Sequence, residues 1–449
     1  MTPDDLLRFD RRVPRYTSYP TAADFTAAID AARYREWLGA VPRDEELSLY
    51  VHIPFCSSLC WFCGCHTTIV RRYHPIAAYL KLLGREIEML AVALGGRRRV
   101  VHLHWGGGTP TMLRPAEIHR LAAHFRTRFR LTAGTEFAVE VDPRTVGPKT
   151  VAALAEAGVT RVSLGVQDFD AQVQRAINRI QSFELTKRVV DWLRAAGIDA
   201  LNIDLLYGLP GRTAAGLVET VDKTLALNPG RIAVYGYAHV PWMKRHQKLI
   251  DERLLPDAVE RVRQATAAAA RLVERGYLAI GLDHFATPSD PIALAARAGR
   301  LRRNFQGYTT DPSTVLIGLG ASAIGTLPQG YAQNAAEIPA YRAAIDGGGF
   351  ATVRGVEVSD DDNLRRAIIE RLMCDLEVDL DAVCRARGRV AADFAREIEA
   401  LAPLRAGGAV HVAGNHVRVA ADARLLVRVV CAAFDRHLPI TGERHARAV

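Results

Sequence analysis

Leu47-Ser-Leu-Tyr-Val-His-Ile-Pro-Phe-Cys56-Ser-Ser-Leu-Cys60-Trp-Phe-Cys63-Gly-Cys65 is the stretch on which the reading of the whole chain turns. The apolar run Leu47 to Pro54 reads as a strand, and four of the seven cysteines follow within ten residues. A thiolate is a soft ligand for iron or zinc, and three on one short loop can converge on a single inorganic centre. The spacing C-x3-C-x2-C differs from the paired C-x2-C of zinc ribbons and from the common ferredoxin spacings. Three thiolates on a four-iron cluster leave one iron open to a further ligand. Zinc and structural thiols stay open as alternatives, although cysteine clusters in a reducing compartment are usually metal sites.

The rest of the composition agrees with a reducing setting. At 449 residues the chain can bury a large core and fill about two domains. Hydrophobic residues make up 49% and charged ones 24%, an ordinary soluble balance. No apolar run reaches about 18 residues, so no membrane span is expected. Met1-Thr-Pro-Asp-Asp5 lacks the apolar core of a signal peptide, which predicts a cytoplasmic protein without disulfides. Cys374, Cys384 and Cys431 fall in helical sequence and read as small buried hydrophobes. The net charge of +9 admits an anionic partner, but basic residues are spread along helices with only short runs such as Arg97-Arg98-Arg99. A solvated surface explains the charge without nucleic acid.

Working outward, residues 1–46 show no clear period and read as an extended arm that wraps the core. From Leu47 onward short β-branched runs alternate with amphipathic ones, the pattern of βα units with parallel strands. Strands are expected at 47–54, 100–106, 136–142, 161–167, 199–206 and 231–238, with runs 278–285 and 314–323 as extensions. Helices are expected at 75–94, 115–130, 147–157, 183–196, 213–227 and 257–275. The fold class is therefore α/β, a full or partial (β/α) barrel over residues 47–358 rather than a doubly wound sheet. Polar or glycine residues close nearly every strand: Cys56, Gly106 to Thr109, Glu140, Gln167, Asp204 and His239. In such a barrel these ends share one face, where active sites are built. After Ser359 the rhythm stops, and residues 359–440 read as a mainly helical, winged-helix-like domain with a hairpin around Ala413-Gly-Asn415. The last residues, 441–449, read as a flexible tail.

The cysteine loop after a strand, Phe62 before the third cysteine, and Gly106-Gly-Gly108 one unit later resemble radical S-adenosylmethionine (SAM) enzymes. Glycine there lets backbone approach a ligand without Cβ interference. Glu140 and Asp204 could accept hydrogen bonds from such a ligand, and Arg179 offers a fork for a carboxylate. Each could equally be an ion-pair partner. A closer resemblance, to the oxygen-independent coproporphyrinogen III oxidase family, runs along almost the whole chain. It is carried by Arg15-Tyr-Thr-Ser-Tyr-Pro-Thr21, Tyr50-Val-His-Ile-Pro-Phe-Cys56, His104-Trp-Gly-Gly-Gly-Thr-Pro-Thr111 and Glu140-Val-Asp-Pro143. Gly165-Val-Gln-Asp-Phe169, Asn178-Arg179, Asn202-Ile-Asp204, Asn304-Phe-Gln-Gly-Tyr-Thr-Thr310 and Tyr331-Ala-Gln-Asn334 continue it. The segment Pro241 to Gln247 and the C-terminal tail do not follow the family pattern.

This resemblance implies oxidative decarboxylation of two of the four propionates of coproporphyrinogen III to vinyl groups, giving protoporphyrinogen IX in haem biosynthesis. A 5′-deoxyadenosyl radical, made from SAM at a 4Fe–4S cluster, would take the hydrogen. It implies the partial form of the barrel, with Cys56, Cys60 and Cys63 as cluster ligands and Cys65 as a non-ligand with a possible catalytic part. It also implies two SAM molecules, contacted by Tyr50, Phe62, Gly107, Gly108, Thr109, Glu140, Gln167, Arg179, Asp204, Ala238 and Ile324. An electron donor of flavodoxin or ferredoxin type is implied as partner, and a monomer is the default. Rival readings are a haem chaperone or a haem-degrading enzyme of the same superfamily. A nucleic-acid-binding iron–sulfur sensor is the third, which would need a basic recognition helix.

Overall fold

The computed structural model describes residues 1–438 and 446–448. Its centre is a twelve-stranded sheet, here labelled β1 (Leu47–Ile53), β2 (Arg99–Gly107), β3 (Arg130–Val141), β4 (Arg161–Gln167), β5 (Ala200–Tyr207) and β6 (Arg231–Gly236). β7 (Leu278–Ile280), β8 (His284–Ala286), β9 (Val315–Leu319), β10 (Ile324–Leu327), β11 (Gly330–Asn334) and β12 (Thr352–Glu357) complete it. The order across the sheet is β12-β11-β10-β9-β1-β2-β3-β4-β5-β6-β8-β7. From β9 through β1 to β6 every pairing is parallel, and beyond both ends it is antiparallel. β12 and β7 are the two edges, so of the full and partial barrels that the βα rhythm admits the chain forms the partial one.

Burial explains the sequence of the central strands. β1 is covered on both faces, and all its residues are buried except half-buried Tyr50, so it reads as an apolar run rather than an alternation. Its one small polar residue, Ser48, bonds the Asp311 carboxylate. The helices that return the chain between strands carry apolar stripes. His74–Ala93 turns Ile76, Tyr79, Leu83, Ile87 and Leu90 inward, at the spacing of one helical face.

Two expected extensions come out differently. The 314–323 run ends as a strand at Leu319, because Gly320 takes φ +92° and reverses the chain into the antiparallel β10–β11 pair. The 278–285 run breaks at Gly281, φ +53°, into β7 and β8, which pair with each other.

Residues 1–46 carry two short α-helices, Pro3–Arg8 and Ala31–Gly39, and divide between two cores. Ile29, Tyr34 and Trp37 pack with the sheet. Leu6, Val13, Tyr16 and Tyr19 pack instead with Leu372, Phe394 and Phe434 of the C-terminal region. That region is helical around a three-stranded antiparallel sheet, Glu377–Asp379, Val410–Ala413 and His416–Val419, with its hairpin where the sequence places one. Cys374, Cys384 and Cys431 are buried there as free thiols. Of the expected tail, residues 441–445 and 449 lie outside the described residues. Ala446 and Ala448 bond the backbone of Val13 and Arg11. Among the described residues no helix is long and apolar enough to cross a membrane.

Candidate active site

The C-terminal ends of β1 to β6 open into one cavity of about 380 Å³. Cys56, Cys60, Phe62, Cys63 and Cys65 border it from the loop after β1, and Gly107, Gly108 and Thr109 from the loop after β2. Glu140, Gln167, Asp204 and the more distant Arg179 complete the wall. Residues spread over 150 positions thus meet because parallel strands put all their C-terminal ends on one side.

The cysteine loop is fixed by its neighbours rather than by its own structure. Asn178 donates to the Leu59 carbonyl at 2.8 Å, and Trp61 N to the Ile177 carbonyl at 3.0 Å. From the other side His246 donates to the Cys63 carbonyl (2.7 Å), Gln247 to Phe62 (3.2 Å) and Lys244 to Cys65 (3.2 Å). The segment that departs from the family pattern therefore clamps the loop, a role its sequence does not announce.

The thiols face positive charge. Arg144 lies 3.3 Å and Arg179 3.5 Å from the Cys60 sulfur, and both pair with Asp142. Thr109 donates to the Cys56 sulfur at 3.4 Å. Burial pushes the Cys56 thiol up to about 11, whereas a hydrogen bond from Cys65 pulls Cys63 down to about 6. Two guanidinium groups beside sulfur favour an anionic centre, thiolate or cluster. Among the described residues no three His, Cys, Asp or Glu side chains are close enough to share one metal ion. Cys56, Cys60 and Cys63 all border the cavity, where soft sulfur donors suit an iron–sulfur cluster.

The glycine loop is zipped to the strand that precedes the cysteines. Gly108 N donates to the Ile53 carbonyl (2.9 Å) and Thr109 N to Phe55 (2.8 Å). A Cβ at Gly108 would lie 2.7 to 2.8 Å from backbone atoms of Phe55 and Ile53, and one at Gly107 would collide with the His52 imidazole. Protein groups already fill the space a side chain would need, so glycine is required even before a ligand is considered.

Glu140 accepts from Gly107 N at 2.9 Å and from His104 Nε2 at 3.2 Å. Burial opposes its charge, but the His104 bond and the other donors outweigh it and hold the carboxyl below its usual range. Asp204 accepts from Ser163 (2.9 Å) and Asn202 (2.8 Å), while burial pushes its carboxyl upward. Gln167 ends β4 at φ +72°, where the pairing with β5 slips by a residue. That left-handed backbone is uncommon outside glycine and turns the amide toward the cavity.

Three expected contact residues stand outside this cavity's wall. Tyr50 lies behind it: its hydroxyl donates to His52 Nδ1 at 3.0 Å, and its ring sits 5.7 Å from that of His104. His52 Nε2 then donates to the His66 carbonyl (2.9 Å), so the pair steadies the chain leaving the cysteine loop. Ala238 offers its carbonyl to Gln247 at 3.2 Å, and Ile324 opens β10 opposite Gln333. His239 is drawn away into a bond with Glu252 at 3.0 Å. The sequence reading missed Asp142, Arg144 and His246. Asp142 stands inside the quoted Glu140-to-Pro143 motif, whereas the other two carry no local signal.

Comparison with known proteins agrees with this geometry. Residues 50–224 match the radical SAM superfamily. The oxygen-independent coproporphyrinogen III oxidase of Bradyrhizobium diazoefficiens is 51% identical over 440 residues, covering 98% of each chain. That of Paracoccus denitrificans is 47% identical, covering 98% of this chain and 97% of its own. The solved structure of coproporphyrinogen III oxidase HemN from Escherichia coli, a radical SAM enzyme, superposes with a TM-score of 0.90 at 39% identity, covering 95% of this chain and all of that one. With likeness that extends over nearly the full length and the site loops in place, this chain belongs to the oxygen-independent coproporphyrinogen III oxidase family of the radical SAM superfamily.

Proposed function

We propose that the chain converts two propionates of coproporphyrinogen III to vinyl groups without oxygen, giving protoporphyrinogen IX, each propionate losing a β-hydrogen atom to the radical, its carboxylate as carbon dioxide, and one electron to an acceptor. The observation that carries this is the meeting of three loop thiols, a glycine cradle and the carboxylates of Glu140 and Asp204 in one cavity, in a chain of this family. Cys56, Cys60 and Cys63 would hold the 4Fe–4S cluster, for which their soft donors on the border of one cavity fit. When bound, the cluster and SAM supply a 5′-deoxyadenosyl radical able to take hydrogen from a propionate β-carbon.

The chain's own part is to hold, orient and shield. Glu140, kept ionised by His104 and Gly107, would accept from the ammonium of SAM, and Asp204 from ribose hydroxyls. Gly107, Gly108 and Thr109 present backbone to the ligand, with Phe62 and Gln167 beside it. Arg179 is committed to Asp142 and the Gly165 carbonyl, so its free edge rather than the whole fork would meet a carboxylate. Tyr50 acts through His52. Two SAM molecules are proposed, with Ala238 and Ile324 among their contacts although neither borders the cavity. Cys65, exposed and bonded to Cys63, is proposed as a non-ligand on the substrate side, as the family resemblance implies. A flavodoxin- or ferredoxin-type donor would reduce the cluster of a cytoplasmic monomer.

The test is anaerobic turnover of reconstituted protein with coproporphyrinogen III, SAM and dithionite, with Cys60→Ala as control. Divinyl product and 5′-deoxyadenosine, both lost in the control, are expected. Deoxyadenosine without vinyl product would move the assignment to another substrate.

A further inference from the structure

A second cavity, of about 130 Å³, adjoins the first, and Asn304 and Thr309 border both. They belong to a small antiparallel hairpin, Arg302–Asn304 with Gly307–Thr309, which stands as a shared wall. Opposite it lie Tyr16 to Tyr19, from an N-terminal motif to which the chemistry above gives no part, and Arg366 of helix Asp360–Asp375.

The charge balance in this cavity is unusual. Arg302, Arg303 and Arg366 face it, against Asp311 and Glu370. Asp311 is taken up by Ser48 and by the backbone of Ser313. Glu370 pairs with Arg302 at 3.5 Å and accepts from the Arg303 backbone at 3.3 Å. Arg366 bonds Tyr331. Arg303 is left over: its guanidinium lies 4.5 Å above the Tyr308 ring, yet Nε and Nη1 are buried with no hydrogen-bond partner among the described residues. Asp283, the acid whose charge acts on Arg303 from the barrel side, is bonded to His284 at 2.8 Å. Two buried guanidinium N–H groups without an acceptor, on a half-buried side chain, are costly and rare, and an anionic ligand that reaches them removes the cost.

We propose that this second cavity, which Arg302 and Arg366 also border, is a carboxylate subsite in which Arg303 binds a propionate that the reaction leaves intact. The inference rests on the proposed function, whose substrate carries four propionates and loses two. The space suits one carboxylate arm, not the macrocycle, which would lie across the Asn304–Thr309 wall with its reacting side in the larger cavity. Tyr16 to Tyr19 then close the subsite, giving the Arg15–Thr21 segment a part in substrate binding.

Reconstituted wild type, Arg303→Gln and Arg303→Lys are titrated anaerobically with coproporphyrin III, the stable tetracarboxylate, by fluorescence. KM for coproporphyrinogen III is measured alongside, with iron content and melting temperature as controls. Arg303→Gln is expected to weaken Kd and raise KM about ten- to hundredfold, the loss of one charge-assisted interaction, with iron content unchanged. Arg303→Lys keeps the cation but not the fork and is expected to fall several-fold short of wild type. A folded Arg303→Gln protein with wild-type Kd overturns the subsite. Should that variant not fold, an unchanged Kd for Arg303→Lys overturns it equally. A wild type that forms no divinyl product refutes the function itself, whereas a productive wild type with unmoved variants refutes only the subsite.

Discussion

The Nη2 atom of Arg144 lies 3.3 Å from the sulfur of Cys60, while the same side chain grips both oxygens of Asp142. A cation bonded to a ligand sulfur stabilises the reduced, more negative form of a cluster more than the oxidised form. Arg144→Met removes that donor and leaves Asp142 paired with Arg179. Losing one charge-assisted bond worth about 1.5 kcal/mol corresponds to roughly 60 mV for a one-electron couple. The midpoint potential should therefore become more negative by about that much, read in an EPR-monitored redox titration. An unmoved potential would remove Arg144 from the tuning of the centre.

Cys65 shares its loop with the three proposed ligands but is exposed, and it bonds Cys63 rather than facing an arginine. Cys65→Ser should keep iron and sulfide at the wild-type level, with an unchanged EPR signal, while Cys60→Ala loses the cluster. Iron loss in Cys65→Ser would reassign the ligand set. With iron retained, any fall in vinyl product then measures a part in turnover.

What could be read from the sequence was whatever is contiguous. The cysteine loop and the glycine triad each sit on one short segment, where chemistry constrains spacing directly. Glu140, Gln167 and Asp204 were legible because strand ends in a parallel barrel share a face. The Asp142–Arg144–Arg179 group was not, since its meaning lies in a contact across 37 positions. Nor was the clamp of Lys244, His246 and Gln247, whose segment looks like a surface loop until it is placed against Cys63. β11 and β12 escaped notice because Gly330-Tyr-Ala-Gln-Asn334 mixes polar residues into a strand that its neighbours bury, and Thr352-Val-Arg-Gly-Val-Glu357 is a half-exposed edge strand with polar residues and a glycine. Thr2 with Asp5 does form a capping box for the first helix, a local signal that was available.

Gly108→Ala tests the zipper between the two site loops. Its new methyl would press on backbone atoms at 2.7 to 2.8 Å, and backbone cannot swing aside as a side chain does. Overpacking of this kind costs about 1–3 kcal/mol, and the bonds to Ile53 and Phe55 would open to relieve it. We expect a lower melting temperature together with at least tenfold weaker SAM binding by equilibrium dialysis. Unchanged SAM affinity would show that the loop does not shape the ligand site.

Glu86, on helix His74–Ala93, ties that helix to the Gly320 turn and carries a pH dependence. Its carboxylate accepts from Gly320 N, Asn334 Nδ2 and Tyr341 OH, each at 2.7 Å. Burial pushes the carboxyl up from 4.5 to about 7 in spite of these bonds. The folded state then holds the proton more tightly than the unfolded chain, so the contribution to stability is fully present below about 4.5 and is lost as pH rises through about 7. Glu86→Gln cannot titrate, and it turns an amide donor toward groups that are themselves donors, which should cost about 1–3 kcal/mol. Urea unfolding at pH 5, 6, 7 and 8 should show the gap between wild type and variant narrowing with rising pH. A gap that is constant across this range would mean that Glu86 binds no extra proton on folding.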